Sequence, residues 1–282
     1  MTPTLTEALH RLADQLMGVL GPLAIAAVVF AGLAWLTKGR ARALADARAA
    51  GPETQINAAI AVVDTFAVGP ALAIGMALLV GALTAHGLQL DSGGLWAAIG
   101  RWPTVAVAVV LGDFFGYWRH RVQHSAWLWP AHAIHHSDTH LTWFSLGRMH
   151  PIDRAGSLTD MILLSALGVP VWALAANGLV RHYYGSFIHA DLPWTLGKAG
   201  FVLNSPVMHR WHHVREVEGA GYNFATVFSL WDRAFGTYHQ PGPCTVPTGV
   251  RDDMGQGVLG QYAHPFKTWW RAIRPGEARL SS

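Results

Sequence analysis

Histidine dominates the chemistry that this chain could perform. Sixteen of its 282 residues are histidine, and twelve of these fall between His120 and His213. Most recur at i, i+3 and i+4, spacings that put side chains on one face of a helix. They comprise a pair, two identical triplets and one isolated residue: His120 and His124; His132, His135 and His136; His209, His212 and His213; and His189.

The number of imidazoles predicts how many metal ions they could hold. Neutral imidazole suits iron, zinc, copper and nickel. A structural zinc site closes with four ligands, and eight or nine imidazoles exceed what one ion accepts. Two ions with four or five nitrogens each is the simplest stoichiometry, and it favours a redox-active pair with a position open for oxygen.

The single cysteine, Cys244, narrows the choice of ligands. It excludes an internal disulfide and any zinc or iron–sulfur site built from several cysteines of one chain. Nitrogen and oxygen must therefore hold any metal.

The composition is that of a membrane protein. Hydrophobic residues make up 51% of the chain and charged residues 13%, and the mean hydropathy is +0.25. Soluble domains carry about 25% charged residues, and disordered chains combine low hydrophobicity with high charge. The net charge is only +3, with no basic stripe interleaved with aromatics, so we expect no nucleic-acid partner.

Four apolar segments could deliver the histidines to one membrane face. Residues 16–36 contain no charge and are long enough to cross about 30 Å of hydrocarbon. Further spans are predicted at 60–83 and 102–118. The fourth segment contains Gly168 and Pro170, and proline breaks a helix. We expect a hairpin of limbs 158–167 and 170–188, with one straight or kinked span as the alternative.

The basic residues predict the orientation of these spans. Four of them, Lys38, Arg40, Arg42 and Arg48, separate the first two spans, whereas residues 84–100 contain no lysine or arginine. The positive-inside rule then places the first loop in the cytoplasm. The third span returns to the cytoplasm just before the first histidine pair. An amphipathic lead-in at the membrane surface is expected before the first span.

Several motifs resemble those of the fatty acid hydroxylase superfamily, which includes the sterol desaturases. Residues 112–120 (GDFFGYWRH) with His124, and 132–137 (HAIHHS), resemble its first two histidine boxes. Other segments resemble its histidine–proline segment, isolated histidine, third box and closing segment: 149–151, 187–190, 209–213, 222–224 and 230–238. The resemblance covers about residues 60–240.

The resemblance implies an all-α integral membrane protein with about four transmembrane segments and a cytosolic helical cap that carries the histidine boxes. Residues 56–240 would form the di-iron oxygenase domain. Outside the resemblance, the apolar and basic residues predict that residues 1–55 form the lead-in, first transmembrane helix and basic cytosolic loop, and we expect residues 241–282 to form a C-terminal cytosolic tail. The protein would be multi-pass, with its site facing the cytoplasm.

The resemblance also assigns the metal ligands. They would be His120, His124, His132, His135, His136, His189, His209, His212 and His213. His182 does not fit the spacing of the paired histidines that some members place before the third box. His150 would be either a tenth ligand or a supporting group. Four residues are candidates to hydrogen-bond the ligands: Asp113, His150, Asn204 and Asn223.

The implied activity is the O₂-dependent hydroxylation of an unactivated C–H bond at two non-haem irons. Desaturation on the same scaffold is the alternative. The sequence contains no dinucleotide fingerprint and no cysteine cluster, so we expect a separate ferredoxin or cytochrome-type electron donor with its reductase. The substrate should be apolar or amphipathic, such as a fatty acyl lipid, sterol-like terpenoid or carotenoid, and should enter from the lipid bilayer.

Two other classes of protein compete with this interpretation. A metal transporter, or a non-catalytic metal-binding membrane protein, would place its ligands near the bilayer midplane on broken helices. Here the boxes follow Arg119 and Arg121, outside the apolar segments. A bis-histidine haem protein would need single facing histidines inside the spans, and it gives the triplets no role.

Overall fold

A computed structural model describes residues 5–92, 94–215 and 221–274. The protein is mostly helical, at 70%, and within the described ranges its only β pairing is an isolated bridge between Val214 and Thr248. The predicted all-helical class is confirmed. Most of the predicted amphipathic lead-in lies outside the residues whose side chains are described.

The chain divides into two compact units, residues 1–48 and 49–282. In the first unit, α1 (Leu5–Lys38) contains the first apolar segment and ends at a glycine, Gly39, with φ of +80°. The next helix is α2 (Arg40–Ala49). Its Asp46 forms an ion pair with Lys38 at the end of α1, at 2.9 Å, and another with Arg42 on α2 itself, at 2.8 Å.

The second unit carries every predicted metal ligand. Its α-helices are α3 (Gly51–Val63), α4 (Gly69–Ala85), α5 (Leu95–Ile99), α6 (Arg101–Gln123), α7 (Trp129–His136), α8 (Pro151–Gly156), α9 (Leu158–Ala166), α10 (Val171–His189), α11 (Pro206–His212), α12 (Leu230–Ala234) and α13 (Gly257–Ile273). A π-helical turn (Asp64–Val68) joins α3 to α4, and 3₁₀ turns occupy Trp143–Gly147 and Gly197–Phe201.

Two stretches of the described chain are long and apolar enough to cross a membrane, Leu16–Lys38 and Gly51–Ala85. Neither apolar window is buried inside the protein, so neither resembles the core helix of a soluble domain. The second stretch begins before the predicted span 60–83 and includes it. The total of four spans and the cytosolic cap remain predictions.

The fourth apolar segment is broken where the sequence predicts. α9 ends at Ala166, Gly168 adopts a φ of +68°, and Pro170 precedes the first residue of α10. A core cluster of Ala108, Leu164 and Ala173 packs the two limbs against α6. The segment is therefore two helices joined by a tight turn, and a single straight helix is excluded.

A buried carboxylate ties α6, α9 and α10 together. Asp160 on α9 accepts from Arg119 on α6 at 3.0 Å and from Arg181 on α10, also at 3.0 Å. Gly116 permits this contact, because a Cβ there would overlap the Arg181 guanidinium. Since α6 and α10 each end in metal-ligand candidates, this ion-pair network sets their relative position.

A buried cation, Arg148, fixes the position of the chain that follows α7. Arg148 donates to Ser137 at 2.9 Å and, on α3, to Glu53 at 2.6 Å and Asn57 at 3.2 Å. The guanidinium is almost fully buried but satisfied, as an interior charge must be. The segment that follows α7, the helix of the first histidine triplet, is thereby held against the start of the second apolar stretch.

The α9–α10 turn gives a test of this arrangement. In Gly168→Ala the new Cβ would lie 2.5 Å from the Leu90 carbonyl oxygen, and the left-handed backbone would be strained. We expect a loss of at least about 1–2 kcal/mol in the free energy of unfolding, measured as a lowered thermal midpoint in detergent. The matched control is Gly178→Ala on α10, where a Cβ meets open space. Equal destabilisation by both variants would contradict the turn.

Candidate metal centre

The nine predicted ligands converge into two adjacent groups. The first contains His120, His124, His132, His136 and His212, and the second contains His135, His189, His209 and His213. Within each group the ligand atoms lie within 4.8 Å of one another. The neighbours His135 and His136 belong to different groups, as expected for side chains that diverge at i+3 and i+4 of one helix.

Short helices with defined starts set the histidine register. On α11 the Ser205 side chain accepts from the Met208 backbone N–H at 3.1 Å, and Pro206 occupies the first turn. On α7 Pro130 has the same position. A capping hydroxyl and an early proline fix where a helix begins. Each triplet is therefore presented by a helix of seven or eight residues, with His213 directly after the end of α11.

Hydrogen bonds at Nδ1 decide which nitrogen faces each group. The Nδ1–H of His120 donates to the Phe224 carbonyl at 2.7 Å, that of His212 to the Tyr222 carbonyl at 2.6 Å, and that of His132 to Asp153 at 3.1 Å. A neutral imidazole with its proton on Nδ1 has a lone pair on Nε2. These three rings therefore direct acceptor nitrogens into the first group.

Those acceptor nitrogens face one another at close range. The Nε2 atom of His120 lies 3.1 Å from that of His132 and 3.0 Å from that of His212. No proton is left to bridge them, so the lone pairs repel. Two nitrogens bound to one ion at about 2.1 Å and roughly at right angles are separated by about this distance. The spacing fits a shared metal ion.

The second group has the same character. Its Nε2 atoms form a chain from His135 to His189, His209 and His213, each step 3.1 Å long. His189 donates through Nδ1 to the Gly185 carbonyl at 2.7 Å, which leaves its Nε2 as an acceptor. The chemistry of this donor set, nitrogen alone, suits a transition metal rather than magnesium or calcium.

Unpaired nitrogens at the first group support the same conclusion. The Nε2 atoms of His124 and His136 are buried and have no hydrogen-bond partner. Leaving a buried polar atom unpaired costs about 1–3 kcal/mol. Both residues belong to the first group, so a bound ion would remove the cost at each.

The electrostatics keep these rings uncharged. Burial, followed by the neighbouring imidazoles, lowers the pKa of four of the histidines on α7 and α11 well below 6.5: His135, His136, His209 and His213. Burial also lowers the pKa of His212 to about 3. At neutral pH these imidazoles are deprotonated and available to a metal.

Asp153 is a supporting residue that the sequence analysis missed. Its carboxylate accepts from His132 on one oxygen and from the Gln123 amide on the other, and Gln123 in turn accepts from Arg119 at 2.7 Å. A carboxylate that accepts from a ligand imidazole fixes the ring and raises its basicity. The available signal was weak: Asp153 is the one acidic residue between Asp138 and Asp160.

The predicted supporting residue Asp113 does not contact a histidine of either group. It accepts from the backbone N–H of Val227 at 2.9 Å and of Phe228 at 2.8 Å. Asn204 also binds this loop, through the Ala225 carbonyl. These two residues hold the loop of residues 222–228.

Asn223 and Asp232 hold the same loop from its other side. Asn223 has a φ of +59°. Its side chain donates to the Met208 carbonyl at 2.9 Å and accepts from the backbone N–H of His239 at 2.8 Å. Asp232 accepts from the N–H of Phe224 at 2.8 Å. The carbonyls on either side of Asn223, those of Tyr222 and Phe224, accept hydrogen bonds from His212 and His120. Asn223 and Asp232 therefore orient these two ligands through the loop backbone.

The remaining histidines near the motifs lie outside both groups. His150 accepts from the Ile152 N–H at 3.0 Å and so caps α8, while its other nitrogen donates to the Tyr262 carbonyl at 3.2 Å. His140 contacts the Thr139 hydroxyl at 3.1 Å. Neither joins a metal group among the described residues.

Comparison with known proteins agrees with this geometry. Residues 105–237, which include all nine histidines, match the fatty acid hydroxylase family. This match covers just under half of the chain, and it confirms the resemblance drawn from the motifs.

Several curated proteins are similar over part of their length. The ornithine lipid hydroxylase OlsE of Rhizobium tropici is 31% identical over 172 residues, or 59% of this chain and 52% of that protein. The alkylglycerol monooxygenase of Homo sapiens is 28% identical over 179 residues, or 62% of this chain and 39% of that protein. A putative methylsterol monooxygenase of Dictyostelium discoideum is 25% identical over 141 residues, or 48% and 50%.

The chain thus spans about half the length of the first of these relatives and less of the human protein. No solved structure matches the chain at a comparable level of significance.

The Asp153 contact predicts a selective effect on metal affinity. Because Asp153 orients His132 of the first group, we expect Asp153→Ala to weaken metal binding there by about 10–100-fold. The metal content after graded chelator treatment measures this affinity. About half of the bound metal should be retained, because the second group does not depend on His132. Asp153→Asn, which keeps an acceptor for His132, should recover part of the affinity.

The control for this experiment is Asp252→Asn, an exposed carboxylate away from both groups. Equal loss from both groups in Asp153→Ala would show a general folding defect. An unchanged metal affinity would refute the positioning role.

Proposed function

We propose that this protein is a membrane-bound non-haem di-iron monooxygenase that hydroxylates an unactivated C–H bond of a lipid-like substrate. The observation that carries the proposal is the pair of adjacent all-imidazole groups, in which the Nε2 atoms of different rings meet at 3.0–3.1 Å. Five nitrogens would hold one ion and four the other. This division matches the stoichiometry predicted from the sequence.

The names of the relatives support the type of reaction and the substrate class. One is a hydroxylase of ornithine lipids, another a monooxygenase of alkylglycerols, and a third a putative methylsterol monooxygenase. All three names denote hydroxylation or monooxygenation of lipid-like molecules. Hydroxylation of a lipid, sterol-like terpenoid, carotenoid or fatty acyl chain therefore takes precedence over desaturation.

Two bound irons would supply O₂ activation and the oxidation of the C–H bond. The protein's own contribution is to bind and orient them. Nδ1–H donors to backbone carbonyls and to Asp153 hold the rings of His120, His132 and His212 with Nε2 inward. Aromatic rings cover these imidazoles and exclude water, because Phe224 and Trp129 each pack against three imidazoles of the first group.

The position of the ligands favours catalysis over transport. They lie at the end of α6, on the short helices α7 and α11, and at the end of α10, outside both stretches that qualify as membrane spans. A transport site is expected near the bilayer midplane on broken helices. We place the centre on the cytoplasmic side of a multi-pass protein, according to the positive-inside rule.

The proposal requires an outside source of electrons. The single cysteine cannot form an iron–sulfur cluster within one chain. A ferredoxin or cytochrome-type donor with its reductase would supply two electrons per turnover.

The activity test combines metal and product analysis. We expect about two irons per chain and, with a reduced ferredoxin system and ¹⁸O₂, a lipid-extractable product that gains one ¹⁸O atom. A product lacking two hydrogens would instead indicate a desaturase. One tightly held zinc and no O₂ consumption with any donor would refute the proposal.

The histidine assignment is tested by three neighbouring substitutions. His135→Ala and His136→Ala should each remove one of the two irons and abolish activity, because the residues serve different groups. His140→Ala should retain both irons and full activity. Equal loss in all three variants, by iron analysis and product yield, would contradict the assignment.

A further inference from the structure

An apolar groove lies beside the first histidine group. It has a volume of about 370 Å³ and runs between α6, α7, α8 and α9. Its apolar walls include Phe115, Trp118, Val122, Leu128, Ile152 and Leu163. Small-molecule sites commonly have a volume of this order and walls of this chemistry.

The groove opens on the outside of the helical bundle. Trp118, Val122 and Leu163 line it and are also among the exposed large hydrophobic side chains. α9, which carries Leu163, packs against α4, the second half of the apolar stretch Gly51–Ala85. The mouth is therefore next to a surface with the composition of a membrane span, from which an apolar molecule could enter directly.

The polar residues of the groove leave it without a headgroup site. Its charged and amide lining residues are Arg119, Gln123 and Asp153, and Thr159 adds an exposed hydroxyl. Arg119 donates hydrogen bonds to Asp160 and Gln123. Asp153 accepts hydrogen bonds from Gln123 and His132. Since these groups satisfy one another, what the groove offers a ligand is apolar contact. That chemistry selects a hydrocarbon chain.

We propose that this groove binds one hydrocarbon chain of a bilayer lipid and that the chain belongs to the substrate. The second clause rests on the proposed function, whereas the first does not. Asp153 separates the groove from His132, so a chain in the groove lies one residue from the first metal group. The groove would then select lipids by their chain.

Photo-cross-linking tests the first clause without any need for catalysis. The probe is a fatty acid with a diazirine on its chain, added to the protein in lipid nanodiscs, with labelled peptides mapped by mass spectrometry. We expect labelling concentrated in residues 115–131 and 152–163. Thr159→Trp, at the exposed lining of the groove, should reduce it several-fold. The matched control is Leu179→Trp, an exposed position on α10 that does not line the groove.

Each outcome separates the two claims. Labelling spread evenly over the apolar exterior, or unaffected by Thr159→Trp, would overturn the groove site and leave the di-iron proposal standing. Competition by a sterol but not by an unlabelled fatty acid would also overturn it. Blocked labelling with unchanged hydroxylation would show that the bound chain is not the substrate.

A different surface supports a second inference. On α13 the residues Leu259, Phe266, Trp270 and Ile273 are each more than half exposed. Their spacings of seven, four and three place them on one helix face. The opposite face is packed into the protein, with Gln261 and His264 buried. The exposed apolar face is therefore additional to the one that the fold uses.

The place of α13 in the fold indicates what covers this face. The helix packs against α7 and α3, and α3 is the first part of the apolar stretch Gly51–Ala85. α13 thus lies at the end of a candidate membrane span, where an interfacial helix would lie. Basic side chains flank this exposed apolar face at Lys267, Arg271 and Arg274. Asp252 and Asp253 lie near Lys267. The mixed charge suits a zwitterionic headgroup layer.

We infer that α13 lies in the bilayer interface with this exposed apolar face in the acyl region. Spin labels at Phe266→Cys and, as the matched control on the charged flank, Lys267→Cys test it in a Cys244→Ser background. In phosphatidylcholine nanodiscs, power saturation should show oxygen accessibility at position 266 and accessibility to a water-soluble nickel chelate at position 267. Equal accessibility at both positions, or a signal at 266 that depends on protein concentration, would overturn the inference.

Discussion

Nine closely packed imidazoles, each with one nitrogen gathered into one of two groups, are the constraint to which the rest of the structure responds. Where two lone pairs meet, the contact is repulsive unless a cation lies between them, and a hydrogen bond at the other nitrogen holds four of the rings in place. His120, His132, His189 and His212 show how this is done. Three donate to backbone carbonyls and one to a carboxylate, so the fold around the site consists largely of correctly placed acceptors.

The loop of residues 222–228 carries most of that requirement. Two of its carbonyls accept from His120 and His212, and four buried side chains fix it: Asp113, Asn204, Asn223 and Asp232. Buried polar groups are costly unless hydrogen-bonded, and each of these is used to orient backbone. A substitution of any of these four side chains would therefore disturb the metal groups without changing a ligand.

Much of the site could be predicted because helical spacing is local information. The triplets place His135 and His136 on diverging faces of one helix, and the structure puts them in separate groups. Pro170 predicts the end of α9 because proline acts on the residues beside it. Asp153 could not be found in the same way, since its partner His132 lies 21 residues away and the contact depends on the packing of α7 against α8.

Asp113 shows the complementary error. Its place on α6, two turns before His120, predicts a contact with an imidazole, but the carboxylate instead binds backbone N–H groups 114 and 115 residues later. Periodicity reports the face of a helix and not what packs against that face. The predicted span 102–118 lies within α6, which is not among the two described stretches apolar enough to cross a membrane, because it carries Arg101, Asp113 and Arg119.

The loop that receives two ligand histidines lies after all nine of them in the chain. Its carbonyls at Tyr222 and Phe224 orient rings encoded up to about a hundred residues earlier. During synthesis the centre therefore stays incomplete until this loop has emerged and closed over α6 and α11. Long-range contacts of this kind form slowly because chain entropy is lost before they are made. Metal capture would then be a late event in the biogenesis of the protein, after α6, α7, α10 and α11 have all been made.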